Sequence, residues 1–188
     1  RWLQLIPYIQ VTRVVEGVKE YARYQRGSGS GEERLKSNFS IGFGGHIEES
    51  MFNTHKSILA GTKRELLEEL KLGVVDDQIR FDYLMFDPKP GVNQVHLAIV
   101  AELQLTEQQH EKLEAGEGEE DIITKIEWRT ADELLKEHQE ALDGEVSGAK
   151  LEDWSLNILT HLCNPAYREQ LDFGEPIYVP RPQAEVAA

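Results

Sequence analysis

The chain has 188 residues, 40% hydrophobic and 29% charged, ordinary values for one soluble globular domain with a proper core. Its formal net charge of −14 argues against a nucleic-acid backbone or an anionic membrane as main partner. A small phosphorylated ligand stays compatible, because a bound cation reverses the local sign of the field. No apolar run approaches the length of a bilayer span, and nothing at the start reads as a signal peptide. The chain opens on Arg1 rather than Met, which leaves room for a missing natural N-terminus. Its single cysteine, Cys163, excludes an internal disulfide and a multi-cysteine metal site. Lying in the apolar run LNILTHLC, it is expected to be a buried structural thiol, in keeping with a reducing cytoplasm.

Leu3 to Val15 is rich in β-branched and aromatic residues and predicts a strand. Glu16-Gly17 predicts a turn, with Lys19 to Gln25 as the returning strand. Arg26 to Asn38 (RGSGSGEERLKSN) is a loop by its Gly and Ser content, and Phe39 to Gly42 a short strand. A helix is expected over Ser57 to Lys71. Ile79 to Phe86 and Val95 to Leu103 form a hairpin through DPKPGVNQ. Thr106 to Glu114 reads as a short helix, followed by the acidic loop EAGEGEED. Ile122 to Trp128 is a strand, and Thr130-x-x-Glu133 is a capping box that opens a helix. Leu151 to Leu162 forms the last helix. The tail, about 173–188, has too many prolines and too few apolar residues for core and is expected to be extended or poorly ordered. The expectation is a single domain with its core over about 3–162, a mixed sheet carrying helices on its faces.

The segment GFGGHIEESMFNTHKSILAGTKRELLEEL, Gly42 to Leu70, raises a chemical question. On a helix, Leu59, Leu66, Leu67 and Leu70 gather as a core stripe. Gly61, Glu65, Glu68 and Glu69 gather on another face, with Arg64 beside Glu68. Most acidic helix faces are simply solvated, and ELLEEL alone would be read that way. Three features weigh against it here. Glu65 and Glu69 repel across one turn. Gly61 costs the helix up to about 1 kcal/mol relative to alanine, which suggests that another backbone passes close by. Gly44-Gly45, just upstream, is a loop that could supply that backbone. Carboxylates plus a carbonyl form an all-oxygen set suited to Mg²⁺ or Mn²⁺.

These residues resemble the Nudix box, G-x5-E-x7-R-E-U-x-E-E-x-G-U with U apolar. Gly45 matches the first glycine, and Arg64, Glu65, Leu66, Glu68 and Glu69 match R-E-U-x-E-E without a gap. The order of flanking elements and the late EWRTADEL segment, Glu127 to Leu134, fit as well, so the resemblance spans roughly Leu3 to Leu162. There are departures. The spacing from Gly45 to Arg64 is longer than the pattern, so SMFNTHKS carries an insertion. Lys56 stands where the first glutamate is expected. Lys71 replaces the second glycine, and Gly73 follows slightly later.

The resemblance implies an α+β fold, a Nudix-like α/β/α sandwich. It also implies metal-dependent hydrolysis of a pyrophosphate bond in a nucleoside diphosphate linked to another moiety. Gly45, Glu65, Glu68 and Glu69 would hold Mg²⁺ (or Mn²⁺), with Arg64 orienting the glutamates. The base for the attacking water stays open between a box glutamate and Glu119, Glu120 or Asp121, with Glu120 carried as the candidate beside Glu68, Glu69 and Arg64. His46, Arg26 and Lys36, the last two from a basic group that includes Arg23 and Arg34, are candidates for substrate contact. Each of these also fits a solvated or structural role. The remaining histidines show no metal-ligand spacing. The expected partner is a small nucleotide or phosphorylated substrate, with no nucleic acid and no membrane; a homodimer is left open. Two other readings compete: a nucleotide-binding or sensor module without hydrolysis, which typically loses box carboxylates, and a purely structural acidic domain, which would leave Gly61 and Gly44-Gly45 unexplained.

Overall fold

The computed structural model describes residues 3–26, 38–47, 55–87, 95–114, 123–144 and 150–163. The turn of the second hairpin, the acidic loop after Glu114, the tail and the side chain of Cys163 lie outside the described residues. Strand β1 (Gln4–Val15) turns through Glu16-Gly17 into β2 (Val18–Arg26). Both turn residues have positive φ, 50° and 82°, the twist that suits a two-residue hairpin.

β1 also runs parallel to β6 (His96–Gln104) over nine residue pairs, from Gln4↔His96 to Thr12↔Gln104. Parallel neighbours need a long crossover. Here it contains the carboxylate helix α1 (His55–Leu70) and strand β5 (Ile79–Met85), which pairs antiparallel with β6. With β3 (Phe39–Ser40) on β2, the sheet order is β3-β2-β1-β6-β5; off that path β4 (Gly42–Phe43) pairs with β1 and β7 (Ile123–Arg129) with β2. The expected single strand Phe39 to Gly42 is thus two short ones that part at Ile41 and pair with different neighbours.

Alternation along β1 sends its side chains into two cores. Ile9 and Val11 join Phe43, Leu66, Leu70 and Leu103 beneath α1. Tyr8 joins Ile41, Val100, Leu134, Trp154 and Ile158 beneath α3 (Ala131–Leu142) and α4 (Asp153–Cys163). The result is a three-layer α/β/α sandwich. A short helix α2 (Glu107–Glu114) follows β6. The capping box at α3 is formed as expected, with Glu133 N–H donating to Thr130 Oγ1 and Thr130 N–H to the Glu133 carboxylate.

Two expectations about α1 need correction. Leu59, Leu66 and Leu70 are buried, but Leu67 is 53% exposed. The buried arc instead extends through Thr62 to Glu65, which is 8% exposed. Leu67 lies on the far side of that arc. Gly61 does not admit the Gly44-Gly45 backbone either. A Cβ there would meet only the Ile47 side chain, at 3.5 Å, an ordinary contact.

The helix ends where the pattern's second glycine would stand. Lys71 adopts φ 55°, and its N–H donates to the Leu67 carbonyl at 3.1 Å, a left-handed helix stop. A lysine holds this conformation at a cost of about 1 kcal/mol. Lys71→Gly is therefore expected to raise the melting temperature by a few degrees despite losing the exposed contact from Lys71 Nζ to the Glu68 carbonyl. A lower melting temperature in a thermal scan would contradict the strain.

Glu102 braces the sheet from within β6. It is buried, and it accepts from Lys19 Nζ and Thr12 Oγ1, at 2.6 and 2.9 Å, and from Arg80 Nη2 at 2.5 Å. Burial pushes its pKa up, but Lys19, Thr12 and Arg80 together hold it below the ordinary range. A depressed folded pKa adds stability above the unfolded value, and that stability is lost as pH falls through the folded one. Between about pH 6 and about pH 3, the parent should lose more stability to denaturant than Glu102→Gln. Parallel losses in the two proteins would refute the brace.

Candidate active site

The loop after β4 is set by steric limits on glycine. Gly44 has φ 143°, and a Cβ there would lie 2.0 Å from the Pro7 carbonyl oxygen of β1. A Cβ on Gly42 would lie 2.0 Å from the Tyr8 ring. Neither position admits a side chain, so the loop lies flat against β1 and reaches over α1. There the Gly44 N–H donates to Glu69 Oε2 at 3.0 Å. Gly45 comes so close to Glu65 that an added Cβ would stand 2.6 Å from Oε2. The close approach that the sequence suggested for Gly61 belongs to Gly45.

Arg64 ties this face together. Nη1 donates to Glu68 at 2.7 Å, and Nη2 donates to Glu65 at 2.6 Å and to the His46 carbonyl at 3.0 Å. The planar fork thus offsets two carboxylates and clamps the loop onto the helix. The three glutamates differ in setting. Glu65 is buried under Gly45, Glu69 is anchored by the loop amide, and the Glu68 side chain is 52% exposed. Among the described residues, no three His, Cys, Asp or Glu side chains stand close enough to hold an ion by themselves.

Of the other candidates, His46 is exposed beside Gly45, with its ring 5.7 Å from the ring of buried His96. Glu119, Glu120, Asp121, Arg34 and Lys36 lie outside the described residues, as does the side chain of Arg26. Arg23, grouped with them in the sequence, turns away. It is 6% exposed, pairs with Glu127 and Glu137, and stacks on Phe39.

The sequence reading missed a buried polar cluster beneath the loop. Glu152 Oε1 accepts from Tyr8 Oη at 2.6 Å and from Ser40 Oγ at 2.5 Å, and Tyr8 Oη lies 2.7 Å from Ser155 Oγ. Burial first, then the Glu152 carboxylate, holds the Tyr8 phenol well above its ordinary range, so it remains a donor. Tyr8 and Glu152 are 144 positions apart, and no local pattern joins them.

No protein-family model matches the chain. Protein YmaB of Bacillus subtilis (strain 168) is 36% identical over 108 residues, 56% of this chain and 50% of YmaB. The chain thus spans about half the length of that curated relative. Among solved structures, the NUDIX domain of Shewanella oneidensis NrtR, complexed with ADP ribose, superposes with a TM-score of 0.57 at 12% identity. The match covers 91% of this chain and 90% of that one. A mutT/nudix family protein from Listeria innocua gives 0.56 at 14% identity, covering 91% and 98%. A likeness over nearly the whole of both chains establishes the fold: this chain has the Nudix fold.

The glycine geometry separates two substitutions that the sequence could not. Gly61→Ala places a methyl in ordinary contact with Ile47 and should stabilise the helix by up to about 1 kcal/mol. Gly45→Ala must displace the Glu65 carboxylate. It should leave the melting temperature nearly unchanged while weakening Mn²⁺ binding measured by titration. Unaltered Mn²⁺ binding in Gly45→Ala would show that the Gly45–Glu65 approach carries no ligand function.

Proposed function

We propose that this chain hydrolyses a pyrophosphate bond in a nucleoside diphosphate linked to another moiety, with Mg²⁺ or Mn²⁺ as cofactor. The observation that carries the reading is the Gly44-Gly45 backbone laid on the carboxylates of α1, with Arg64 bridging Glu65 and Glu68. A solvated acidic face has no need of a glycine loop pressed against its carboxylates. The Nudix fold and the unbroken R-E-U-x-E-E match support the same reading.

The donor set fits a hard cation. Glu65 and Glu69 approach the loop from the helix, Gly45 offers a carbonyl, and Glu68 stands exposed beside them. Mg²⁺ commonly takes one or two carboxylates and keeps water or substrate phosphate for its other ligands. That suits a site without three converging side chains. A bound cation would polarise the phosphate oxygens and acidify the attacking water.

This chain's own residues would do the rest. Arg64 holds Glu65 and Glu68 at fixed orientation and spreads the charge of the carboxylate face. The Gly44 N–H fixes the Glu69 carboxylate, so the ligands are placed before substrate arrives. Catalysis of this kind rests on in-line positioning and charge stabilisation more than on covalent chemistry. Glu68 or Glu69 would take the proton of the attacking water, with Glu120 the alternative base. His46, exposed at the loop, would meet the substrate, and Arg26 and Lys36 would meet its phosphates. Among the described residues no helix is long and apolar enough to cross a membrane. The single cysteine suits a reducing cytoplasm, where the chain would act on a small nucleotide.

The test is a panel of nucleotide sugars, dinucleoside polyphosphates, ADP-ribose and nucleoside triphosphates, with products identified. Turnover should require Mg²⁺ or Mn²⁺ and stop in excess EDTA. In Glu69→Gln, kcat/KM should fall at least ~10²-fold. Without metal, its melting temperature should equal or slightly exceed the parent's, because the repulsion with Glu65 is relieved. Undiminished turnover in EDTA, or a fully active Glu69→Gln, would overturn the assignment.

A further inference from the structure

We propose that Glu152 is a positioning residue which, through Tyr8, Ser40 and Ser155, sets the Gly44-Gly45 loop on α1 and so tunes cation affinity from the opposite face of the sheet. The inference rests on the reading of Glu65 and Glu69 as cation ligands.

Glu152 is fixed by backbone as well as side chain. Its N–H donates to the Phe39 carbonyl at 2.9 Å, and Phe39 N–H donates to the Lys150 carbonyl at 2.8 Å, so the lead-in to α4 is stitched to β3. Its carboxylate is buried, with the residue 6% exposed. Such burial is costly unless hydrogen bonds compensate, and an apolar side chain would fill a core at less cost. Here hydroxyls compensate: Tyr8 and Ser40 both donate to Oε1.

Those hydroxyls act on the backbone where the chain passes from β3, paired with β2, to β4, paired with β1. Ser155 Oγ accepts from the Ile41 N–H at 3.0 Å, and Ser40 Oγ accepts from the Gly42 N–H at 3.1 Å. Ser40 has a single proton and three acceptors within reach, Glu152, the Gly42 carbonyl and, at 3.2 Å, Tyr8 Oη, whose own proton goes to Glu152. Tyr24 Oη already donates to that carbonyl at 3.1 Å, which frees the Ser40 proton for the shorter, charge-assisted bond to Glu152. The Tyr8 ring, held by its hydroxyl, is the surface against which Gly42 lies. Two residues further on, Gly44 meets Glu69. A displacement at Tyr8 or Ser40 therefore passes through a stretch of backbone too short to absorb it.

The test uses the full chain and Mn²⁺ alone, with free Mn²⁺ counted by electron paramagnetic resonance and stability followed by metal-free melting. Tyr8→Phe keeps the ring against Gly42 and removes the donor; Glu152→Gln keeps the shape and removes the charge. Each should fold cooperatively and raise the Mn²⁺ dissociation constant about tenfold. Ile158→Val, in the same core without polar contacts, should lower stability and leave Mn²⁺ binding unchanged. If Glu152→Gln fails to fold, Tyr8→Phe decides alone. Mn²⁺ binding within about twofold of the parent in the folded variants, while Glu69→Gln loses it, overturns this inference and leaves the cation site standing. A shift in Ile158→Val as large as in Tyr8→Phe overturns it too, because affinity would then follow stability rather than position. Parental Mn²⁺ binding in Glu69→Gln removes the cation site itself, and the inference with it.

Discussion

Strand β1 is the constraint on which the rest of the structure depends. It pairs with β2 and β4 antiparallel and with β6 in parallel, so it lies at the centre of the sheet and feeds both cores. Three consecutive residues of it shape the Gly44-Gly45 loop. The Pro7 carbonyl bars a side chain at Gly44, the Tyr8 ring bars one at Gly42, and Ile9 pairs with Phe43 between them.

The loop that β1 shapes solves an electrostatic problem on α1. Two carboxylates one turn apart destabilise a helix, and burying Glu65 adds desolvation. The structure meets this with one charged fork, Arg64, and one backbone dipole, the Gly44 N–H. Both reach from or toward the same loop, so the contacts that offset the repulsion also position the carboxylates. On the other face of the sheet, Glu152 accepts from the hydroxyls of Tyr8 and Ser40. Such bonds are directional and suit a group that sets geometry.

Much of this was legible in the residues because its causes are local. The Glu16-Gly17 turn, the α3 capping box and the α1 helix follow from backbone preference and 3.6-residue periodicity. The carboxylate face could be singled out because like charges and a nearby Gly-Gly are unfavourable without a use. Other expectations failed where the cause was distant. Leu67 has the right spacing for the apolar stripe, yet it is exposed because the sheet meets α1 further round, toward Thr62 and Glu65. Gly61 sits at a plausible spacing for backbone contact, but the loop crosses one turn later, at Glu65, and leaves Ile47 over Gly61.

The sequence by itself determined a mixed sheet carrying helices, the order of its elements and the helix that bears Glu65, Glu68 and Glu69, while the Nudix-like fold class came as what the family resemblance implies. The former rest on propensities and periodicities that act over a few residues. Only the tertiary structure decided that β1 and β6 run in parallel, that Gly45 rather than Gly61 meets the helix, and that Tyr8, Ser40, Ser155 and Glu152 converge. Such contacts join residues far apart in the chain. Which of them meet depends on how sheet and helices pack, a property of the folded whole that no window of sequence contains.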